Sequence, residues 1–117
     1  MIPFVHVLDV ERSVVFYQRL GFTVQRIFKP GDRLLWAALD SEGAELMLTD
    51  ASDPIDRDGQ GVLFYLYSHD LAALRDQLIE QSVQVGEIED GTPEPRQEMR
   101  LADPDGYVLV VAQIEEA

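Results

Sequence analysis

The chain has 117 residues, no cysteine, and 22 acidic against 9 basic side chains, for a formal net charge of −13. That length carries one core and is too short for two independently folding domains. Thiol catalysis, disulfides and thiolate metal sites are excluded, and a field of this sign opposes a phosphate backbone, so no nucleic-acid partner is expected.

Residues 3–8 read as extended and 10–20 as a helix. Val10, Val14 and Tyr17 lie at i, i+4 and i+7, which makes one apolar stripe; Asp9 is the side-chain acceptor at its start and Gly21 the stop. Strand candidates follow at 22–28, 34–39 and 44–49, punctuated by Pro30-Gly31-Asp32 and by the turn at 40–43. The order then repeats. Residues 62–67 are extended, and 70–81 form a helix on Leu71, Leu74 and Leu78. Strands are expected at 83–88, 97–101 and 107–112, the last entered through Asp103-Pro104-Asp105-Gly106.

Each half is therefore strand, helix, strand, strand, strand: a first module over 1–50, a linker over 51–60 and a second module over 61–117. The expected class is α+β, a single domain of two tandem βαβββ modules whose curved mixed sheets surround a cleft, with the functional site in that cleft. Residues 89–96, with Pro93 and Pro95 among acidic side chains, read as a long loop. No secretory signal, membrane span or basic tail is visible, so a cytoplasmic location without membrane contact is the default expectation. The carboxylates serve as a solubilising surface, or draw a cationic ligand toward the cleft, or both.

At Asp9-Val10-Glu11-Arg12-Ser13-Val14-Val15-Phe16-Tyr17, Leu20-Gly21-Phe22, Ala44-Glu45-Leu46-Met47-Leu48 and Asp103-Pro104-Asp105-Gly106-Tyr107, the sequence resembles the vicinal oxygen chelate superfamily. That group contains glyoxalase I, extradiol dioxygenases, fosfomycin-resistance enzymes and bleomycin-resistance proteins. The resemblance spans nearly the whole chain and implies the same tandem architecture. Its metalloenzymes place one ligand on the first strand and one on the last strand of each half, which by the flanking motifs falls at Ile2, Glu45, near Leu63 and at Val110. Of these only Glu45 is able to coordinate, and one carboxylate does not supply the three or four N/O ligands of a tightly held divalent ion. The resemblance thus implies the bleomycin-resistance-like branch, with no metal, no cofactor, no assigned catalytic residue and a two-fold homodimer.

Side-chain parity nominates a ligand surface. If Glu45 faces inward, so does Met47, while Leu46 and Leu48 turn to the helix. If Leu63 faces inward, Tyr65 and Tyr67 share its side and Phe64 and Leu66 lie under the second helix. Val108 and Val110 join on the final strand, supplemented by Trp36 and Met99. His6 shares the face of Ile2 and Phe4, which leaves open a satisfied structural histidine, a ligand contact or a metal ligand. Such an aromatic and aliphatic wall with one carboxylate suits a planar molecule with a cationic or hydrogen-bond-donating group. Three functions follow as expectations. The first is a metal-independent protein that binds a small cationic or aromatic molecule without turnover, and is not an enzyme. The second is an enzyme with a degenerate or relocated site using Glu45 as general base. The third is a sensor or structural module.

Overall fold

The computed structural model describes residues 1–51, 54–56, 58–91 and 96–114. The chain divides into two compact units, Met1–Asp56 and Arg57–Ala117.

The first unit contains β1 (Phe4–Val7), α1 (Val10–Arg19), β2 (Thr23–Phe28), β3 (Trp36–Ser41) and β4 (Ala44–Asp50). Its four-stranded sheet has the order β1-β4-β3-β2, with β1 parallel to β4 and the other pairs antiparallel. The helix starts where the Asp9 carboxylate accepts from the Arg12 N–H at 3.1 Å, and Glu11 and Arg19 sit at the ends that match the helix dipole. It stops at Gly21, whose φ of +97° lets the Phe22 N–H turn back onto the Tyr17 carbonyl at 3.1 Å. Val10, Val14, Phe16 and Tyr17 on the helix, with Val5, Val7, Ala37, Leu39, Leu46 and Leu48 on the strands, are buried. Each large aliphatic side chain removed from water in this way contributes about 1.5–3 kcal/mol.

The second unit repeats the plan with β5 (Leu63–Ser68), α2 (Leu71–Glu80), β6 (Glu89–Asp90), β7 (Gln97–Ala102) and β8 (Val108–Gln113), in the order β5-β8-β7-β6. Asp70 caps α2 as Asp9 caps α1, accepting from the Ala73 N–H at 3.1 Å. A further clamp holds this end: Gln113 accepts from the Leu71 N–H at 2.8 Å and donates to the His69 carbonyl at 2.7 Å. Leu71, Leu78, Met99, Leu101, Leu109 and Val111 form the buried side. The Asp103 to Gly106 turn closes on itself, because one Asp103 carboxylate oxygen accepts from the N–H groups of Asp105 and Tyr107, both at 2.9 Å. The architecture is α+β: two four-stranded mixed sheets, each with one helix. Among the described residues no helix is long and apolar enough to cross a membrane.

The sixth strand departs from expectation. Residues 83–88 are not a strand, and β6 is the two-residue Glu89–Asp90. Gly86 explains the break. Its N–H donates to the Arg100 carbonyl at 2.8 Å, but its own carbonyl accepts from the Arg75 side chain at 2.9 Å rather than from a strand. A Cβ there would lie 3.2 Å from the Arg100 carbonyl oxygen, so glycine permits this close approach. The expected loop over 89–96 therefore begins inside β6. Thr92, Pro93, Glu94 and Pro95 of that loop, and Ser52, Asp53 and Arg57 of the expected linker, lie outside the described residues.

Candidate ligand-binding surface

In the first unit the strand register puts Phe4 beside Met47, Ala38 and Arg26 in one cross-strand row, and His6 beside Thr49, Trp36 and Phe28 in the next. Glu45, Asp40 and Thr23 make a third row. These residues share the face turned away from the buried Leu46 and Leu48, so Glu45, Met47, His6 and Trp36 lie on one surface. It is an aromatic surface: Phe4 is 53% exposed and Phe28 55%. The rings of Phe4 and His6 meet edge to face with centroids 6.1 Å apart.

Charge on this face is arranged by a bulge in β2 between Val24 and Arg26. The extra residue, Gln25, donates to the Asp40 carboxylate at 2.6 Å, and the Thr23 hydroxyl donates to the same oxygen at 2.9 Å. Arg26 instead rests over the Trp36 ring, 5.6 Å from its centroid. The Glu45 side chain is exposed, and its carboxylate makes no hydrogen bond or ion pair among the described residues.

In the second unit Tyr65, Val110 and Arg100 form one row, Tyr67, Ala112 and Glu98 the next, and Leu63, Val108 and Ala102 a third. Tyr65, Tyr67, Val108 and Val110 thus share a face, but Val110, expected as a ligand contact, is only 2% exposed beneath its row neighbours and offers no open surface. The tyrosine rings meet at 5.5 Å and 71°. The Tyr65 hydroxyl donates to Glu98 at 3.4 Å, and Arg96 sits 5.3 Å over the Tyr67 ring. Met99 does not belong to this set. It pairs with Val111 and is 1% exposed among the residues of the opposite face, because the alternation of β7 gives the aromatic face to Glu98 and Arg100. On that opposite side Phe64 and Tyr107 lie 6.0 Å apart. Burial pushes the Tyr107 phenol above its ordinary pKa, and the Asp103 and Asp105 carboxylates push it further, while a hydrogen bond with Gln60 opposes them.

The four ligand positions implied for a metalloenzyme do not fit a divalent ion. Ile2 precedes β1, Leu63 pairs with Val108 rather than Val110, and only Glu45 offers an oxygen. Among the described residues no group of three or more His, Asp or Glu side chains is placed to hold a metal. A separate pocket that the sequence did not suggest opens where α1 begins, lined by Leu8, Asp9, Glu11, Asp32, Arg33 and Leu34. Arg33 is tied down there by the Leu8 carbonyl at 3.2 Å and by the Asp50 carboxylate.

The family profile described as Glyoxalase/Bleomycin resistance protein/Dioxygenase superfamily matches residues 4–111. The chain belongs to this superfamily. As a member of it, the chain is similar to the solved structure of a bleomycin-binding protein complexed with bleomycin, at 23% identity and a TM-score of 0.77, covering 98% of each chain. A bleomycin resistance determinant encoded on the transposon Tn5 is similar at 22% identity and a TM-score of 0.78, covering 99% of this chain and 98% of that one. TnmS3, an antibiotic binding protein from Streptomyces sp. CB03234, is similar at 26% identity and a TM-score of 0.71, covering 97% and 93%. A comparison with curated proteins finds no match. Within this superfamily member, sequence reasoning missed Arg26, Phe28 and Phe4. Phe4 was readable from its parity with His6, whereas Arg26 and Phe28 depend on the bulge.

Proposed function

We propose that this chain is a metal-independent, cofactor-free binding protein of the bleomycin-resistance-like type, which holds a planar aromatic small molecule without turnover. The observation that carries this reading is the exposure of aromatic side chains on the helix-free faces: Phe4 and Phe28 in the first unit, Tyr65 and Tyr67 in the second. Aromatic area left in water is unfavourable by about 25 cal/mol per Å², and each aromatic pairing with a ligand ring adds about 0.5–1.5 kcal/mol. On the first unit's face His6, Trp36 and Met47 complete the contact set and Glu45 receives a cationic group, as the net charge of −13 also favours; on the second unit's own face Val108 lies beside the tyrosines. The bleomycin-binding and antibiotic-binding proteins of similar fold support the same direction. The protein works as a cytoplasmic homodimer with modules over 1–50 and 61–117.

Calorimetric titration with 9-aminoacridine, a cationic planar probe, tests the reading with and without chelator. Saturable binding that survives chelation, with the dye recovered at unchanged mass, is expected. No binding, or binding lost with the chelator, overturns it. The exposed Glu45 carboxylate, without a partner among the described residues, favours one second reading, a general base of a metal-free enzyme. That reading requires turnover that persists in chelator and disappears in Glu45→Gln.

A further inference from the structure

The protein as a whole is strongly acidic, yet among the described residues Arg26, Arg96 and Arg100 stand on the helix-free faces. The nearest carboxylate in the neighbouring row of the first unit, Asp40, is not paired with Arg26. Gln25 and Thr23 hold it at 2.6 and 2.9 Å. The Arg26 side chain lies over Trp36 instead, and its guanidinium makes no hydrogen bond or ion pair among the described residues. A guanidinium resting on an indole satisfies its charge against the ring quadrupole and is restrained there, while its N–H fork is left for a planar oxyanion. Arg96, by comparison, already donates to the Gln113 carbonyl at 3.4 Å.

We propose that Arg26, seated on Trp36, is the specificity-determining residue of this surface and selects an aromatic ligand that carries a carboxylate. The inference rests on the binding reading above and refines its ligand class. The Trp36 ring face is occupied by the protein's own cation, so a ligand ammonium arriving there meets like charge; its seat is Glu45, in the row beyond Met47 and Ala38. A carboxylate finds at Arg26 a donor pair whose own acid has been drawn off by the bulge. The ligand ring then spreads over the exposed Phe28, which is paired with Trp36.

Three probes of one size and different charge test this: naphthoate, naphthylmethylammonium and naphthalenemethanol, titrated calorimetrically into the full chain, Arg26→Gln and Arg26→Lys. Trp36 is the single tryptophan, so its indole N–H resonance reports contact at the site. Naphthoate is expected to bind tightest to the unmodified protein and to shift the indole resonance. Arg26→Gln should weaken naphthoate about ten-fold and naphthalenemethanol less than about two-fold, the size expected for one charge-assisted interaction. Arg26→Lys keeps the charge without the fork and should restore only part of the loss. If naphthoate binds equally to Arg26→Gln, or the ammonium probe binds the unmodified protein more tightly than naphthoate, the inference fails and the binding reading stands. If none of the three binds while 9-aminoacridine does, the inference fails alone; if 9-aminoacridine also fails to bind, both fail.

Discussion

Tyr65 on β5 and Glu98 on β7 are joined over the intervening strand β8, the tyrosine hydroxyl donating to the carboxylate at 3.4 Å. The bond is long and solvent-exposed, so it orients the tyrosine ring more than it stabilises the unit. Tyr65→Phe is therefore expected to change unfolding free energy by less than about 0.5 kcal/mol in urea, while Tyr65→Ala weakens an aromatic probe several-fold by calorimetry. A loss of stability above about 2 kcal/mol in Tyr65→Phe would mark the hydroxyl as a structural group instead.

The two helix caps provide a matched pair. Asp9→Ala and Asp70→Ala each remove one carboxylate acceptor at 3.1 Å, and each should lower stability by about 1 kcal/mol. Gln113→Ala should cost a similar amount, because the Leu71 N–H and the His69 carbonyl lose their partner together. Equilibrium denaturation of the three variants checks this, and a neutral Gln113→Ala would show that the clamp is redundant with Asp70.

The faces of the first sheet should respond oppositely to truncation. Leu48→Ala opens a cavity at a side chain with 0% exposure and is expected to cost about 2–5 kcal/mol. Phe28→Ala, on the exposed face, should cost under about 1 kcal/mol and instead weaken aromatic binding. Denaturation and titration of the same two variants separate the effects.

Alkaline stability follows from Tyr107. Its phenol is held above its ordinary pKa of 10.0 by burial first and by the Asp103 and Asp105 carboxylates second. The folded chain keeps that proton more tightly than the unfolded chain. Its contribution is intact below pH 10.0 and declines as the pH rises beyond that value through the folded-state pKa. Melting temperatures measured upward from pH 9 should fall less steeply in Tyr107→Phe than in the unmodified protein. Parallel curves would remove Tyr107 from the account.

Both helices were legible because their signals are local: a capping aspartate, an apolar stripe and, for α1, a terminal glycine. The faces of β4, β5 and β8 were legible because alternation needs no partner strand. Met99 was not, since nothing short of its pairing with Val111 shows that β7 gives the aromatic face to Glu98 and Arg100. The sixth strand failed for a tertiary reason, the Arg75 side chain taking the Gly86 carbonyl that a ladder would have used. The bulge beside Gln25 has no signature in the sequence, and with it went Arg26, Phe28 and the partnering of Asp40.

Native mass spectrometry of the protein purified without added metal or chelator, then mixed with 9-aminoacridine, tests the central claim most directly. The account predicts a metal-free protein that takes up the dye saturably and releases it at unchanged mass. A stoichiometric divalent ion in the as-purified protein, or dye released at an altered mass, would contradict it.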